Sequence, residues 1–378
     1  MNRRGFLKMT GGGVILAAAT GGAFVTTRRP DAALAPWQTA GTYVDPRMNA
    51  LSHAILAPNP HNRQPWIVRL DGDDGATLFF DTEKQLPHTD PFDRQLTIGL
   101  GCFLELMRMA AAADGYAVET KLFPQGEDAQ SLDNRPVATV RFTKSSVAPD
   151  ALFDHVMQRR SNKEPFDTDR TIHAETLSRI LQTPTTARVG GSIAPDDVAF
   201  WRALTTQALH VEIETPRTFK ESVDLFRIGK AEINANPDGI DFGGPLFEAL
   251  SHAGIMTREA SLDTGSQAYI QGVAAVTENT QTAMGHLWLV SDTNTRADQI
   301  ACGADWLRIN LACTREGLGF QPLSQPLQEY PEMSAHFATT HARLAPGGGT
   351  VQMLARIGYG PGVEVSPRWP IEAKIGTM

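Results

Sequence analysis

The chain has 378 residues, 42% of them hydrophobic and 20% charged, the composition of a soluble globular protein long enough for two domains or one duplicated one. A formal net charge of −8 argues against nucleic acid as a partner, so any anion site has to be local. Cys102, Cys302 and Cys313 form no Cys-x-x-Cys and the ten histidines show no ligand spacing, which speaks against a disulfide framework and against a metal site.

The first element is a leader. Asn2-Arg3-Arg4-Gly5-Phe6-Leu7-Lys8 precedes an uncharged stretch, 9–27, and then Arg28-Arg29-Pro30: a basic segment, an apolar segment diluted by Gly and Ala, and a small-residue tail. Paired arginines followed by Phe-Leu-Lys resemble a twin-arginine export signal, with Asn2 where Ser or Thr is usual. The expected location is therefore periplasmic. Ala33-Leu34-Ala35 has the small-x-small form of a cleavage site, but Pro36 is a poor residue after a scissile bond. Nineteen uncharged residues would also just span a bilayer, so release and retention as a membrane anchor both stay open. Residues 1–35 are read as signal or anchor, and the twin-arginine route, which carries folded proteins, points to a ligand bound before export.

A helix around Leu51 to Leu56 leads through a polar loop to a strand at Ile67 to Leu70, and Ala76 to Asp81 reads as a second strand. From Arg94 apolar residues recur at helical spacing (Leu104, Met107, Ala111), Gly115 caps the helix, and Tyr116 to Phe123 and Val137 to Phe142 are strand-like. The same order then returns: Gly285 to Val290, a helix from Arg296 with Leu307 and Leu311, Gly317, an extended Leu318 to Leu323, and Val351 to Ile357. Arg94, Ile98, Gly101, Ala110, Gly115 and Pro124 align without a gap with Arg296, Ile300, Gly303, Ala312, Gly317 and Pro326. Matching elements in matching order predict an internal duplication, with halves at 36–150 and 151–378. The second half is expected to carry an amphipathic helix from Ala151 and another at Ala174 to Leu181. Its region 195–261 has no counterpart in the first half. Helical stretches at Val198 to Leu209 and Thr218 to Glu232, joined to the turn-rich 236–245, make it an inserted cover or a packing extension.

Three motifs carry the chemistry. Ala57-Pro58-Asn59-Pro60-His61-Asn62-Arg63-Gln64-Pro65-Trp66 offers two amide side chains, Asn62 and Gln64, that both donate and accept. Gln158-Arg159-Arg160-Ser161-Asn162-Lys163 gathers two guanidinium forks, a hydroxyl and an ammonium, a costly concentration of like charge unless a dianion neutralises it. Ile357-Gly358-Tyr359-Gly360-Pro361 leads on to Pro367-Arg368.

Together the three resemble the nitroreductase family, in its single-chain, internally duplicated, Acg-like branch. The resemblance implies an α+β nitroreductase fold repeated within one chain as a pseudo-dimer, with a helical insertion in the second half and FMN as the cofactor. It implies that Pro58, Asn59, Asn62 and Gln64 hold the edge of the flavin ring and its ribityl chain. Arg159, Arg160, Ser161 and Lys163 would bind the phosphate, Lys163 replacing the family's last arginine, and Arg368 would return to the same phosphate. Leu323 and Ser324 would bring a backbone N–H to the flavin N5, where a donor helps set the potential. Asn59 and His61 stand where the family often has small hydroxyl residues.

In the family's homodimers the Arg-Arg-Ser motif precedes the Asn-x-Gln-Pro-Trp loop in each subunit, and FMN sits between subunits. Here the first half has the loop with no Arg-Arg-Ser before it, and the second half follows Arg-Arg-Ser and its helix with 183–191 instead of the loop. One complete site, one FMN and a monomer are expected. The implied function is electron transfer through FMN to a small nitroaromatic or quinone acceptor. No catalytic side chain stands out, and Phe226, Arg227 and Phe242 are pocket candidates by position alone. The electron donor is open, because export removes the protein from nicotinamide pools. The competing expectation is a non-catalytic protein that binds or sequesters FMN behind a shielded ring; a third keeps the fold without FMN.

Overall fold

The computed structural model describes residues 27–376, so the paired arginines of the leader and the uncharged stretch up to residue 26 lie outside the described residues. Among the described residues ten strands are present: Trp66–Asp71 (β1), Gly75–Phe80 (β2), Tyr116–Leu122 (β3), Pro136–Lys144 (β4), Arg188–Ser192 (β5), Phe226–Ile228 (β6), Ile240–Phe242 (β7), Gly285–Ser291 (β8), Gly319–Pro322 (β9) and Thr350–Gly358 (β10). They form two four-stranded antiparallel sheets, β1-β2-β4-β3 and β5-β8-β10-β9, and a small parallel pair, β6-β7. The two large sheets thus share one strand order, first-second-fourth-third. The architecture is α+β, as expected.

The principal helices are Pro46–Ala54 (α1), Arg94–Ala113 (α2), Ala174–Leu181 (α3), Pro195–Glu214 (α4), Pro216–Asp224 (α5), Gly229–Ala235 (α6), Pro245–His252 (α7), Arg258–Leu262 (α8), Gln267–Gln281 (α9), Arg296–Arg315 (α10) and Ser334–Leu344 (α11). The aligned helices α2 and α10 pack on each other at the centre of the molecule. Their backbones touch at the aligned glycines: a Cβ on Gly101 would lie 2.2 Å from the Ile300 carbonyl oxygen, and one on Gly303 would lie 2.1 Å from that of Ile98. Only glycine allows that approach. The apolar faces of α2 and α10 then join the inner faces of both sheets in one core, with Trp66 against Phe103 and Trp306 against Phe320, each pair at 4.9 Å between ring centroids. All three cysteines are buried and unpaired in this core, Cys102 donating its thiol to the Gly303 carbonyl.

Two local expectations fail for identifiable reasons. The helix expected from Ala151 is a single 3-10 turn, Ala151–His155, because the chain turns so that the Arg159 guanidinium can enter the core. The helix expected over Thr218 to Glu232 is broken: α5 stops at Asp224, Phe226 to Ile228 pair with β7, and Gly229 restarts the chain at φ 81°. At the other end, residues counted with the leader are folded in: Ala33 and Leu34 are buried, and the Ala33 carbonyl accepts from the Arg368 amide at 2.8 Å.

Candidate cofactor site

Asp45 caps α1 by accepting the Arg47 amide, and Pro46 occupies the first turn. The loop between α1 and β1 is strained: His61, Asn62 and Gln64 have φ of 48°, 52° and 51°. Side-chain-bearing residues in that region cost about 1–3 kcal/mol each and persist only where the surroundings over-determine them. The surroundings here come from four places. Asn59 Oδ1 accepts the Gln64 amide at 2.7 Å, and Lys374 Nζ donates to the Gln64 carbonyl at 2.9 Å. From the insertion, the Gly239 amide donates to the Asn62 carbonyl at 3.1 Å and the Pro237 carbonyl accepts from Gln64 Nε2 at 2.6 Å. From the C-terminal turn, the Pro367 carbonyl accepts from Asn62 Nδ2 at 3.1 Å and the Trp369 amide donates to Gln64 Oε1 at 2.9 Å. Asn62 and Gln64 therefore commit their amides to protein partners, where an open ring-binding edge was expected. They build the site by positioning the loop and the C-terminal turn.

Beside this loop three guanidinium groups converge. Arg368, 3% exposed, donates to Asn62 Oδ1 and to the carbonyls of Pro367 (2.9 Å), Leu56 (3.3 Å) and Ala57 (3.2 Å). Arg159, also 3% exposed, donates to the same Leu56 carbonyl at 3.0 Å. Arg160 is half-buried, donates to the Val363 and Met157 carbonyls, and shares with Arg368 the face of Trp37 at 5.2 and 5.8 Å. Among the described residues none of the three has a carboxylate at ion-pair distance. The Nε atoms of Arg159 and Arg368 have no partner at all. Burial lowers Arg159 to about 10, with Arg160 adding repulsion, and burial lowers Arg368 to about 9, with Arg159 and Arg160 adding theirs.

The remaining expected residues lie around this cluster. Pro58, Asn59 and Ser161 are half-buried; Lys163 is exposed, and its charge acts on both His61 and Asp241. Asp241 in β7 keeps solvent contact although protein encloses it; that enclosure pushes its carboxyl up, while Lys163 and Arg368 pull it back. Segment 162–164 is fixed against the second sheet: the Asn162 amide donates to the Phe320 carbonyl at 2.8 Å, and buried Arg356 donates to the Glu164 carbonyl at 2.8 Å. The Leu323 amide donates to the Leu354 carbonyl at 2.8 Å, so it extends the sheet and is not free to face a ligand; within the turn only later amides are candidates. An open hollow of about 480 Å³ lined by Arg69, Phe79 and Gln125 shares no residue with the cluster.

No profile of a known protein family matches the chain. The chain is 25% identical over 343 residues to the uncharacterized protein Rv3127 of Mycobacterium tuberculosis H37Rv, covering 86% of this chain and 91% of that one. It is 25% identical over 337 residues to the "Putative NAD(P)H nitroreductase acg" of the same organism, covering 86% and 93%. The chain is similar to acg. Among solved structures, the FMN-dependent nitroreductase NfnB from Mycobacterium smegmatis in complex with NADPH aligns at 17% identity and a TM-score of 0.35, over 60% of this chain and 98% of that one. A nitroreductase with bound FMN from Bacteroides fragilis aligns at 13% identity and a TM-score of 0.33, over 58% and 94%.

Several residues of the site carry no local signal in the sequence. Trp37 sits against Arg160 and Arg368, with its indole N–H donated to the Ser366 carbonyl at 2.8 Å. Lys374, lowered to about 8 by burial, props the loop from the C-terminus. Asp241 and Ser222 come from the insertion. None has a local signature: each acts across more than a hundred residues. The one available signal was compositional, a lone aromatic just after the leader and a basic residue near the end. As a whole the cluster presents fixed cations with no carboxylate at ion-pair distance among the described residues, which is an arrangement suited to a dianion.

Proposed function

We propose that the chain is a nitroreductase-family flavoprotein, an FMN-dependent oxidoreductase that passes electrons through one FMN to a small nitroaromatic or quinone acceptor. The observation that carries this reading is the cluster of buried Arg159 and Arg368 and half-buried Arg160, which among the described residues has no carboxylate at ion-pair distance. Buried charges are paired in stable proteins, and a phosphate dianion supplies the missing partner, with Lys163 and Ser161 at its rim. The residues fit the group in this respect, and the family resemblance of the three motifs and the name of acg point the same way. When bound, FMN supplies two-electron chemistry at N5; the protein's part is to bind, orient and exclude water.

We further infer that two nitroreductase-like halves here take the place of two subunits. Support comes from the shared strand order, from the aligned glycines at the helix crossing, and from a reciprocal exchange of arginines. Arg94, which starts α2, donates to the Gln352 carbonyl at 2.7 Å in the second half, while Arg296, which starts α10, donates to the Asp128 carbonyl at 3.0 Å in the first. On this reading the position of a second site is taken by protein, since buried Asp305 accepts the amides of Thr185 (2.6 Å), Thr186 (2.9 Å) and Ala187 (2.7 Å). That supports one FMN per monomer. On this reading the leader exports the loaded protein to the periplasm, and its donor is a quinol or redox protein instead of a nicotinamide.

The deciding experiment is the absorption spectrum of the purified protein, expected to be that of a flavin at one FMN per chain and to be lost in Arg159→Ala. Two FMN per chain would sink the single-site reading, and rapid bleaching by NADPH would sink the donor assignment. A sequestering protein is the second reading, favoured by the insertion's bonds to the loop at Asn62 and Gln64. It predicts that reduced flavin reoxidises only very slowly with small quinones.

A further inference from the structure

The stretch Ala33-Leu34-Ala35, which has the small-x-small form of a cleavage site, lies inside the fold. It runs through two short helical turns, Asp31–Leu34 and Pro36–Thr39, and Ala35 between them is also helical at φ −56° and ψ −34°. Ala33 is 2% exposed, Leu34 and Trp37 6%, and Pro30 and Pro36 are buried as well. Distant parts of the chain take both main-chain groups of Ala33: its amide donates to Asn234 Oδ1 in α6 at 3.1 Å, and its carbonyl accepts the Arg368 amide at 2.8 Å. The Trp37 indole N–H goes to the Ser366 carbonyl at 2.8 Å. Further upstream, Arg28 pairs with Glu248 in α7 at 3.2 Å, and Lys230 Nζ donates to the Thr27 carbonyl at 2.9 Å. Residues 27–37 thus tie two helices of the insertion to the C-terminal turn.

Removing a leader is the hydrolysis of one peptide bond by water, for which a peptidase takes the chain as an extended strand. To be cut after Ala35, the segment would have to leave both helical turns, expose Leu34 and give up the two bonds of Ala33. Local opening of that extent draws on the stability of everything packed against it. On the export reading the cargo crosses folded, so a peptidase on the far side meets this segment already docked. Pro36 makes the bond a poor one to cut, and the fold withdraws it altogether. Other small-x-small runs, Ala17-Ala18-Ala19 and Gly21-Gly22-Ala23, stand in the sequence ahead of Thr27.

We propose that residues 28–37 are a strap of the mature protein and not the tail of its leader, so that export processing leaves Thr27 to Ala35 attached; the processing half rests on the export reading above. Cleavage after Ala35 would do more than trim an end. It would remove the carbonyl that holds the Arg368 amide, together with the Arg28–Glu248 pair, and so loosen the turn that carries one of the three guanidinium groups of the candidate site. A cut ahead of Thr27, or none, keeps all of these contacts.

Two experiments on the full chain test this. In a bacterium with a working twin-arginine route, mass spectrometry reads the N-terminus of the exported protein, for the wild type and for Pro36→Ala, which lifts the sequence obstacle but leaves the bonds of Ala33. Both are expected to begin at or before Thr27, and chains beginning at position 36 in either overturn the proposal. The second experiment uses Arg3→Lys/Arg4→Lys protein kept in the cytoplasm, and needs neither export nor flavin. Proteinase K is expected to cut within 31–40 at least about 100-fold more slowly in the folded protein than in the same protein unfolded by urea. Equal rates there, folded or unfolded, overturn the strap. Wild-type chain found only in the cytoplasm instead refutes the export reading, and with it the processing claim, while the proteolysis result decides the strap on its own.

Discussion

Replacing Arg368 by Met separates the two costs that meet at that residue. Its guanidinium is 3% exposed, and its four acceptors are all neutral oxygens. A fall from the ordinary 12.5 to about 9 corresponds to a penalty on the order of 5 kcal/mol for keeping it charged where it is buried. The four hydrogen bonds, at about 1.5–3 kcal/mol each for a charged donor, more than offset this. In the apoprotein the balance therefore favours the arginine, and Arg368→Met is expected to lower unfolding stability by about 1–7 kcal/mol. With FMN the balance changes, because the variant leaves a buried phosphate charge short of one partner, at about 3–5 kcal/mol. FMN binding should weaken about 10²–10³-fold, read by quenching of flavin fluorescence on titration of apoprotein. Riboflavin, which has no phosphate, serves as the control and should bind the variant and the wild type within about threefold. An equal loss for riboflavin and FMN would mean that Arg368 supports the loop and not a phosphate, and would refute the reasoning.

Three other expectations follow from the same structure. Asp305→Ala leaves three backbone N–H groups of 185–187 without their acceptor and should cost about 3–5 kcal/mol in urea unfolding, with one flavin per chain unchanged. Gly303→Ala places a Cβ 2.1 Å from the Ile98 carbonyl oxygen and 2.8 Å from Gly101 Cα, atoms that cannot move aside, so loss of soluble protein or a drop above about 3 kcal/mol is expected by thermal melting. His286 is fully buried, both ring nitrogens lack partners, and burial lowers it to about 3. The folded protein therefore binds fewer protons than the unfolded chain between about pH 3 and 6.5. Stability should fall as pH drops through that window, and His286→Leu should flatten the fall in urea midpoints.

Much of the scaffold was legible because its signals are local. The periodicity from Arg94, the glycines at 115 and 317 and the alternating strands each reappear within a residue or two in α2, α10 and the sheets. The α10 start even carries a capping box between Thr295 and Asp298. The insertion was less legible: Phe226 to Ile228 reads as helix by composition, and only pairing with Ile240 to Phe242 makes it a strand. In the candidate site the motif residues Asn62, Gln64, Arg159, Arg160 and Arg368 do come together. Their partners were not legible, since Lys374, Trp37 and Pro237 reach them across long stretches of sequence with no period to announce it. The same holds for the Leu323 amide, whose use by β10 depends on sheet register and not on its own neighbours.

The bond between Arg368 and Asn62 spans 306 residues. At translation rates of about 5–20 residues per second, Asn62 leaves the ribosome roughly 15–60 s before its partner is made. Throughout that interval the left-handed loop lacks both the C-terminal turn and Lys374, so its strain is compensated only in part, by Asn59 and, once they are made, by Pro237 and Gly239. Cofactor loading is thereby tied to completion of the chain, and a transcript truncated by a dozen codons would give a nearly full-length protein without a finished site. The N-terminal segment, by contrast, is among the first parts to emerge. If the N-terminal segment is an export signal as proposed, a chaperone holding it back until the last residues have docked on the loop would time export by a contact that only the finished chain can make.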